Sequence, residues 1–125
     1  MNKLAILTGL TGFAAVALGA FGAHALKPHL DAVQTETYRT AVNYHLVHAV
    51  AMLVLLVGGG EANKVLRISF YLFFAGVICF SGSLYLLATR HLTLADGLAF
   101  LGPVTPLGGV LMIAGWLNLV RMKTS

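Results

Sequence analysis

Charge is scarce in this sequence. Eight Lys and Arg and four Asp and Glu make up 10% of 125 residues, against about 25% in a soluble domain. None of these charges falls inside four apolar stretches at about 4–26, 41–57, 68–88 and 98–120. Each stretch is close to the length a membrane crossing requires, since a helix rises about 1.5 Å per residue and the hydrocarbon is about 30 Å thick. Cysteine is nearly absent as well: Cys79 stands alone in the third stretch, which excludes an internal disulfide. Long polar segments are missing. The longest connection, 27–40, leaves no room for a soluble domain. The sequence also has no G-x-S-x-G elbow, no phosphate-cradling G-x-x-x-x-G-K loop and no H-E-x-x-H pair. What remains is an all-α chain: an integral membrane four-helix transmembrane bundle with short loops, in one domain over residues 1–125.

The few charges are arranged. Lys3, Lys64, Arg67, Arg121 and Lys123 fall on one side of a four-span topology, and Lys27, Arg39 and Arg90 on the other. That asymmetry predicts both termini in the cytoplasm. It also explains the net charge of +4 by anionic headgroups at span ends rather than by nucleic acid. Lys3, an apolar run and Ala23-His24-Ala25 imitate a signal peptide, but the run exceeds the usual 7–15 residues of such a segment. An uncleaved first span is the expectation.

Lys27-Pro28-His29 breaks the chain after the first span. Leu30, Val33, Ala41 and Val42 then recur at near-helical spacing, which predicts a helix starting near Pro28 or His29, with Asp31 in its first turn. This helix lies at the interface or runs straight into the second span. Gly58-Gly59-Gly60 ends that span. Tyr38, Tyr44, Tyr71, Tyr85 and Trp116 sit near span ends, as aromatic belts do.

Lipid tails are as apolar as leucine, so helices in a bilayer associate through close packing and hydrogen bonds. Ala15, Gly19 and Ala23 form a small-residue stripe on the first span, with Thr8 and Gly12 beside it. Ala75, Cys79 and Ser83 offer one on the third. Thr105 with Gly109, and Gly108 with Gly115, offer others on the fourth. Packing within one bundle is the plainest use; a seam with a second copy or another membrane protein is the alternative. Pro103 and Pro106 each free a carbonyl about four residues earlier, which marks either a helix start or a kink.

Polar residues within the spans map to one outer level. His24 closes the first span there, Tyr44, His45 and His48 open the second, Ser81, Ser83 and Tyr85 close the third, and Thr105 opens the fourth. The inner halves read as nearly all apolar. Intramembrane polar groups are costly and face a bundle interior or water. His24, His45 and His48 are candidate ligands for zinc or copper, or for a haem held between histidines of two helices. Proton or small-solute passage is a further reading, although no ionisable residue continues the path inward. A serine hydrolase at Ser81 or Ser83 lacks a carboxylate to orient a base. The plainer alternative is that these groups hydrogen-bond one another and the backbone, fixing helix register.

The same residues carry a resemblance. The segments Leu18–His24, Tyr44-His45 with His48, Phe80–Tyr85, Thr105–Gly109 and Gly115-Trp116 resemble the motifs of the YgdD/YwdK-like family of small bacterial inner-membrane proteins of unknown function. The match runs in order along nearly the whole chain. It implies a multi-pass inner-membrane protein of four helices and supplies no activity, cofactor or catalytic residue. The functional expectation is a non-enzymatic scaffold, assembly factor or accessory subunit. The alternatives are a site for a metal, haem, quinone or lipid group at the outer cluster, and transport by an oligomer.

Overall fold

The computed structural model describes residues 2–92 and 101–123. Four helices carry the fold: α1 (Lys3–His24), α2 (Ala32–Val57), α3 (Lys64–Ala88) and α4 (Leu101–Asn118). All four, α3 and α4 counted with their terminal 3-10 turns, are long and apolar enough to cross a membrane. No strand occurs among the described residues. The chain is an all-α bundle of transmembrane helices.

Local chemistry sets the helix ends. Asn2 caps α1 by accepting from the Ala5 N–H at 3.1 Å. The segment after α1 differs from the sequence expectation. Lys27–His29 forms a separate 3-10 turn and Leu30 is extended. Asp31 stands outside the helix as the N-cap of α2: its carboxylate accepts from the Gln34 N–H, and the Gln34 side chain accepts from the Asp31 N–H. This reciprocal capping satisfies two donors that a bare helix start leaves open. Helix α2 then runs unbroken through the second span, about 39 Å at 1.5 Å per residue. That exceeds the hydrocarbon by about 9 Å, so its first turns stand at or above the interface.

At the far end of α2, Gly60 N–H bonds the Leu55 carbonyl at 2.9 Å and Gly59 N–H bonds that of Leu56 at 3.2 Å. This pair is the Schellman pattern, which needs a left-handed residue between its arms. Gly59 supplies it, with φ of +100°. Asn63 caps α3 from Lys64, four residues earlier than the apolar run suggested. The sequence places the start of the fourth span at residue 98, and residues 98–100 lie outside the described residues. Pro103 falls in the first turn of α4, where no intrahelical donor is missed. Pro106 lies inside the helix.

Successive helices pack side by side, α3 most extensively on α4, then on α2, with α1 mainly on α2. Leu4, Met52, Leu55, Leu66, Phe70 and Phe73 form one buried apolar cluster at the end of the bundle that holds the chain termini. Leu26, Tyr38 and Ala88 form a smaller one at the opposite end. Large apolar side chains such as Phe13, Val57 and Val120 are more than 70% exposed. Acyl chains cover such side chains in a bilayer.

Glycine allows the closest approach. A Cβ on Gly108 would stand 2.3 Å from the Phe80 backbone nitrogen, and one on Gly115 would stand 2.6 Å from the Phe73 ring. Gly76 faces Met112 and the Gly108 carbonyl across the same interface. A Cβ on Gly22 would overlap the Tyr38 ring, and one on Gly19 would press on Val42 at 3.3 Å. Ala15 is fully buried, whereas Ala23 is exposed and Gly109 is half-buried, with only the Phe80 ring near it at 3.8 Å. On α3 the close contact is made by Gly76 and the Cys79–Phe80 backbone.

Candidate functional site

The polar side chains form a seam along the bundle rather than a cluster at one level. At the end away from the termini, the Tyr38 hydroxyl donates to the Leu18 carbonyl. Its ring meets Tyr85 edge-on, with centroids 5.1 Å apart. Tyr85 in turn brings its hydroxyl within 2.8 Å of His45 Nδ1. His45 is buried and, with Thr11 and Leu18 of α1 and Val77 of α3, lines one recess.

Ser81 donates to the Ala41 carbonyl on α2 at 2.8 Å. Ser83 Oγ lies 2.9 Å from the Phe80 carbonyl and 2.6 Å from Thr105 Oγ1. A hydroxyl has one proton. Ser83 therefore donates to Phe80, and Thr105 donates to Ser83, which ties α3 to α4. Thr105 is also 3.4 Å from the Leu101 carbonyl, too long to compete with the 2.6 Å contact.

His48 occupies the middle of the seam and is buried. Its Nδ1 lies 2.8 Å from the Tyr44 carbonyl, an acceptor, so Nδ1 carries the proton. Its Nε2 lies 3.0 Å from Trp116 Nε1. Indole N–H only donates, so Nε2 accepts. Both ring nitrogens are committed, and the tautomer is determined. A second proton on His48 would set two N–H groups head to head. The ring is held by its neighbours too, stacked on Tyr44 and edge-on to Phe73.

Toward the termini, Ser69 donates to the Gly115 carbonyl at 2.7 Å. Asn118 Nδ2 donates to the Val65 carbonyl at 2.8 Å and to Ser69 Oγ at 2.9 Å. This group overturns the expectation of a nearly apolar inner half. Thr8 and Thr11 are buried on α1 and back-bond to the carbonyls of Leu4 and Leu7.

The sequence candidates divide accordingly. His45 with Tyr85, and Ser83 with Thr105, meet in pairs; Ser81 bonds backbone. Tyr44, an exposed residue, contributes its carbonyl and the face of its ring. His24 does not join them. It is exposed at the end of α1, about 20 Å beyond Thr11 along the helix axis, and Thr11 is the level of His45. Among the described residues no three His, Cys, Asp or Glu side chains group so as to hold a metal. The structure therefore does not bring His24, His45 and His48 together as one group. Sequence reasoning missed Trp116 and Tyr38, whose positions near span ends read as belt aromatics. It also missed Ser69 and Asn118, which a search for polar residues in the inner halves would have found.

The family model described as protein of unknown function (DUF423) matches residues 18–109. The inner membrane protein YgdD of Escherichia coli, a UPF0382 protein, is 43% identical over 94% of this chain and 89% of its own. The UPF0382 membrane protein YwdK of Bacillus subtilis is 34% identical over 96% and 94%, and SH2409 of Staphylococcus haemolyticus is 38% identical over 96% and 93%. The chain belongs to this family of membrane proteins. The matched segment of the family contains Tyr38, His45, His48, Ser81, Ser83, Tyr85 and Thr105, while Trp116 and Asn118 lie beyond its end. No solved structure matches the chain.

Proposed function

We propose that this protein is a non-enzymatic membrane component, a scaffold, assembly factor or accessory subunit that works by packing against a second copy or another membrane protein. One observation carries the reading. Among the described residues no buried side-chain nitrogen or oxygen lacks a hydrogen-bond partner, so the polar groups of the seam are spent on one another and on the backbone. His48, the most central of the candidate ligands, has no lone pair left for a metal and no room for a second proton. The open groove between α1 and α2 supports the same reading: a Cβ added at Gly9 or Gly12, which line it, would meet nothing within 4 Å. These glycines present bare backbone on which another helix can approach closely.

The proposed orientation puts both termini in the cytoplasm, with the seam running from Tyr38 near the outer face to Asn118 near the inner one. The lysines and arginines on the terminal side support it.

The test is gentle solubilisation of tag-free protein, followed by mass spectrometry of what co-purifies, metal analysis and a visible spectrum. A defined membrane protein or second copy at fixed stoichiometry supports the reading. Stoichiometric metal or a haem band, lost when His24, His45 and His48 are replaced by alanine, would replace it with a cofactor site.

A further inference from the structure

At the end of the bundle away from the termini, the C-terminal turns of α1 touch the start of α2 at Gly19–Val42 and Gly22–Tyr38, and a hollow opens beside that contact. The hollow is a recess of about 240 Å³. Gly19, Gly22 and Ala23 line it from α1 and Tyr38 and Val42 from α2, the two sides meeting at its floor. Leu30 partly covers it. At about 30 Å³ for a water-sized group, the space admits roughly eight such groups.

The rim is cationic. Lys27 and Arg39 both line the recess, and Lys27 forms no ion pair among the described residues. Arg39 gives one N–H to Glu36 at 3.2 Å in a pair whose side chains are 64% and 71% exposed. Exposed pairs of this kind are weakly held, and the remaining guanidinium donors keep the planar fork that matches a phosphate.

Depth decides what such a site receives. If Val57 marks one hydrocarbon boundary, the other falls about 20 residues earlier, near Thr37, since the apolar layer is about 30 Å thick. Arg39 then lies within about 3 Å of that boundary, where its long side chain reaches glycerol and phosphate level, and Val42 lies about one turn deeper, among the first methylenes. A soluble anion would meet the cations but have no use for the apolar floor.

We infer that this recess binds one anionic phospholipid, its phosphate held by Lys27 and Arg39 and the first part of one acyl chain laid against Gly19, Gly22 and Val42. The site is separate from the seam of His45 and His48, and it does not depend on which face of the membrane it occupies.

The probe is palmitoyl-oleoyl phosphatidylglycerol against the choline lipid of the same chains, titrated onto full-length detergent-purified protein and read by native mass spectrometry. The wild type retains the glycerol lipid in preference. Lys27→Gln with Arg39→Gln lowers that retention by roughly fivefold for each cation removed, while Lys64→Gln with Arg67→Gln at the opposite end leaves it unchanged. Ala23→Leu, which fills the recess but keeps both cations, lowers retention as well. Equal retention of the two lipids by the wild type, an unchanged preference in the Lys27 and Arg39 variant, or displacement by inorganic phosphate would each overturn the inference.

Discussion

Replacing Gly108 by alanine tests the α3–α4 contact at its tightest point. The new methyl would lie 2.3 Å from the Phe80 nitrogen, 2.8 Å from the Cys79 carbonyl carbon and 2.8 Å from Phe80 Cα. All three are backbone atoms of a helix, so no rotamer change relieves the overlap. Ordinary contact begins near 3.4 Å, and the helices must part by about 1 Å, which loosens the Gly76–Met112 and Ser69–Gly115 contacts along the same interface. Overpacking of this kind costs about 2–3 kcal/mol, and at roughly 4 °C per kcal/mol for a chain of this size the midpoint falls by about 8–12 °C. Cys79 makes the assay simple. It is the lone thiol and is half-buried, so a thiol-reactive fluorophore reports its exposure as detergent-solubilised protein is heated. Gly9→Ala is the control, because its Cβ meets nothing, and it stays within a degree or two of wild type. A Gly108→Ala protein that melts with the control would refute the backbone contact.

Ser69→Ala removes a donor to Gly115 and an acceptor for Asn118 at one stroke. With intramembrane hydrogen bonds averaging about 0.6 kcal/mol each and reaching about 1.7, a loss of roughly 1–2 kcal/mol is expected in the same melt, and no loss would remove the Ser69–Asn118 link. Gly59→Ala forces a side chain into the left-handed region at +100° and costs about 1 kcal/mol or more. Gly12→Ala, a helical glycine in open space, is the neutral comparison, and equal stability of the two variants would argue against the left-handed cap of α2.

Much of the fold is legible in the one-dimensional pattern. Charge-free lengths near 20 residues announce four spans, Gly58-Gly59-Gly60 announces the end of α2, and the histidines, serines and tyrosines within the spans name the polar candidates. The errors have physical causes. Asp31 was read as a first-turn residue because its composition suits the helix dipole; the reciprocal bonds with Gln34 make it the cap instead. Trp116 reads as a belt aromatic because it stands near a span end, although its N–H is turned onto His48. His24 was grouped with His45 by level, but α1 and α2 run antiparallel with Thr11, not His24, beside His45.

Sequence by itself determined the number of spans, the membrane setting and the family, because a bilayer core tolerates neither charge nor unpaired backbone and so writes its requirement into local composition. Tertiary structure alone decided which polar atoms meet. Each residue turns a helix side chain by about 100°, so partners such as His48 with Trp116, or Ser83 with Thr105, depend on how far neighbouring helices are rotated and slid. That setting comes from glycines that let backbones touch, and it is decided only when the helices pack.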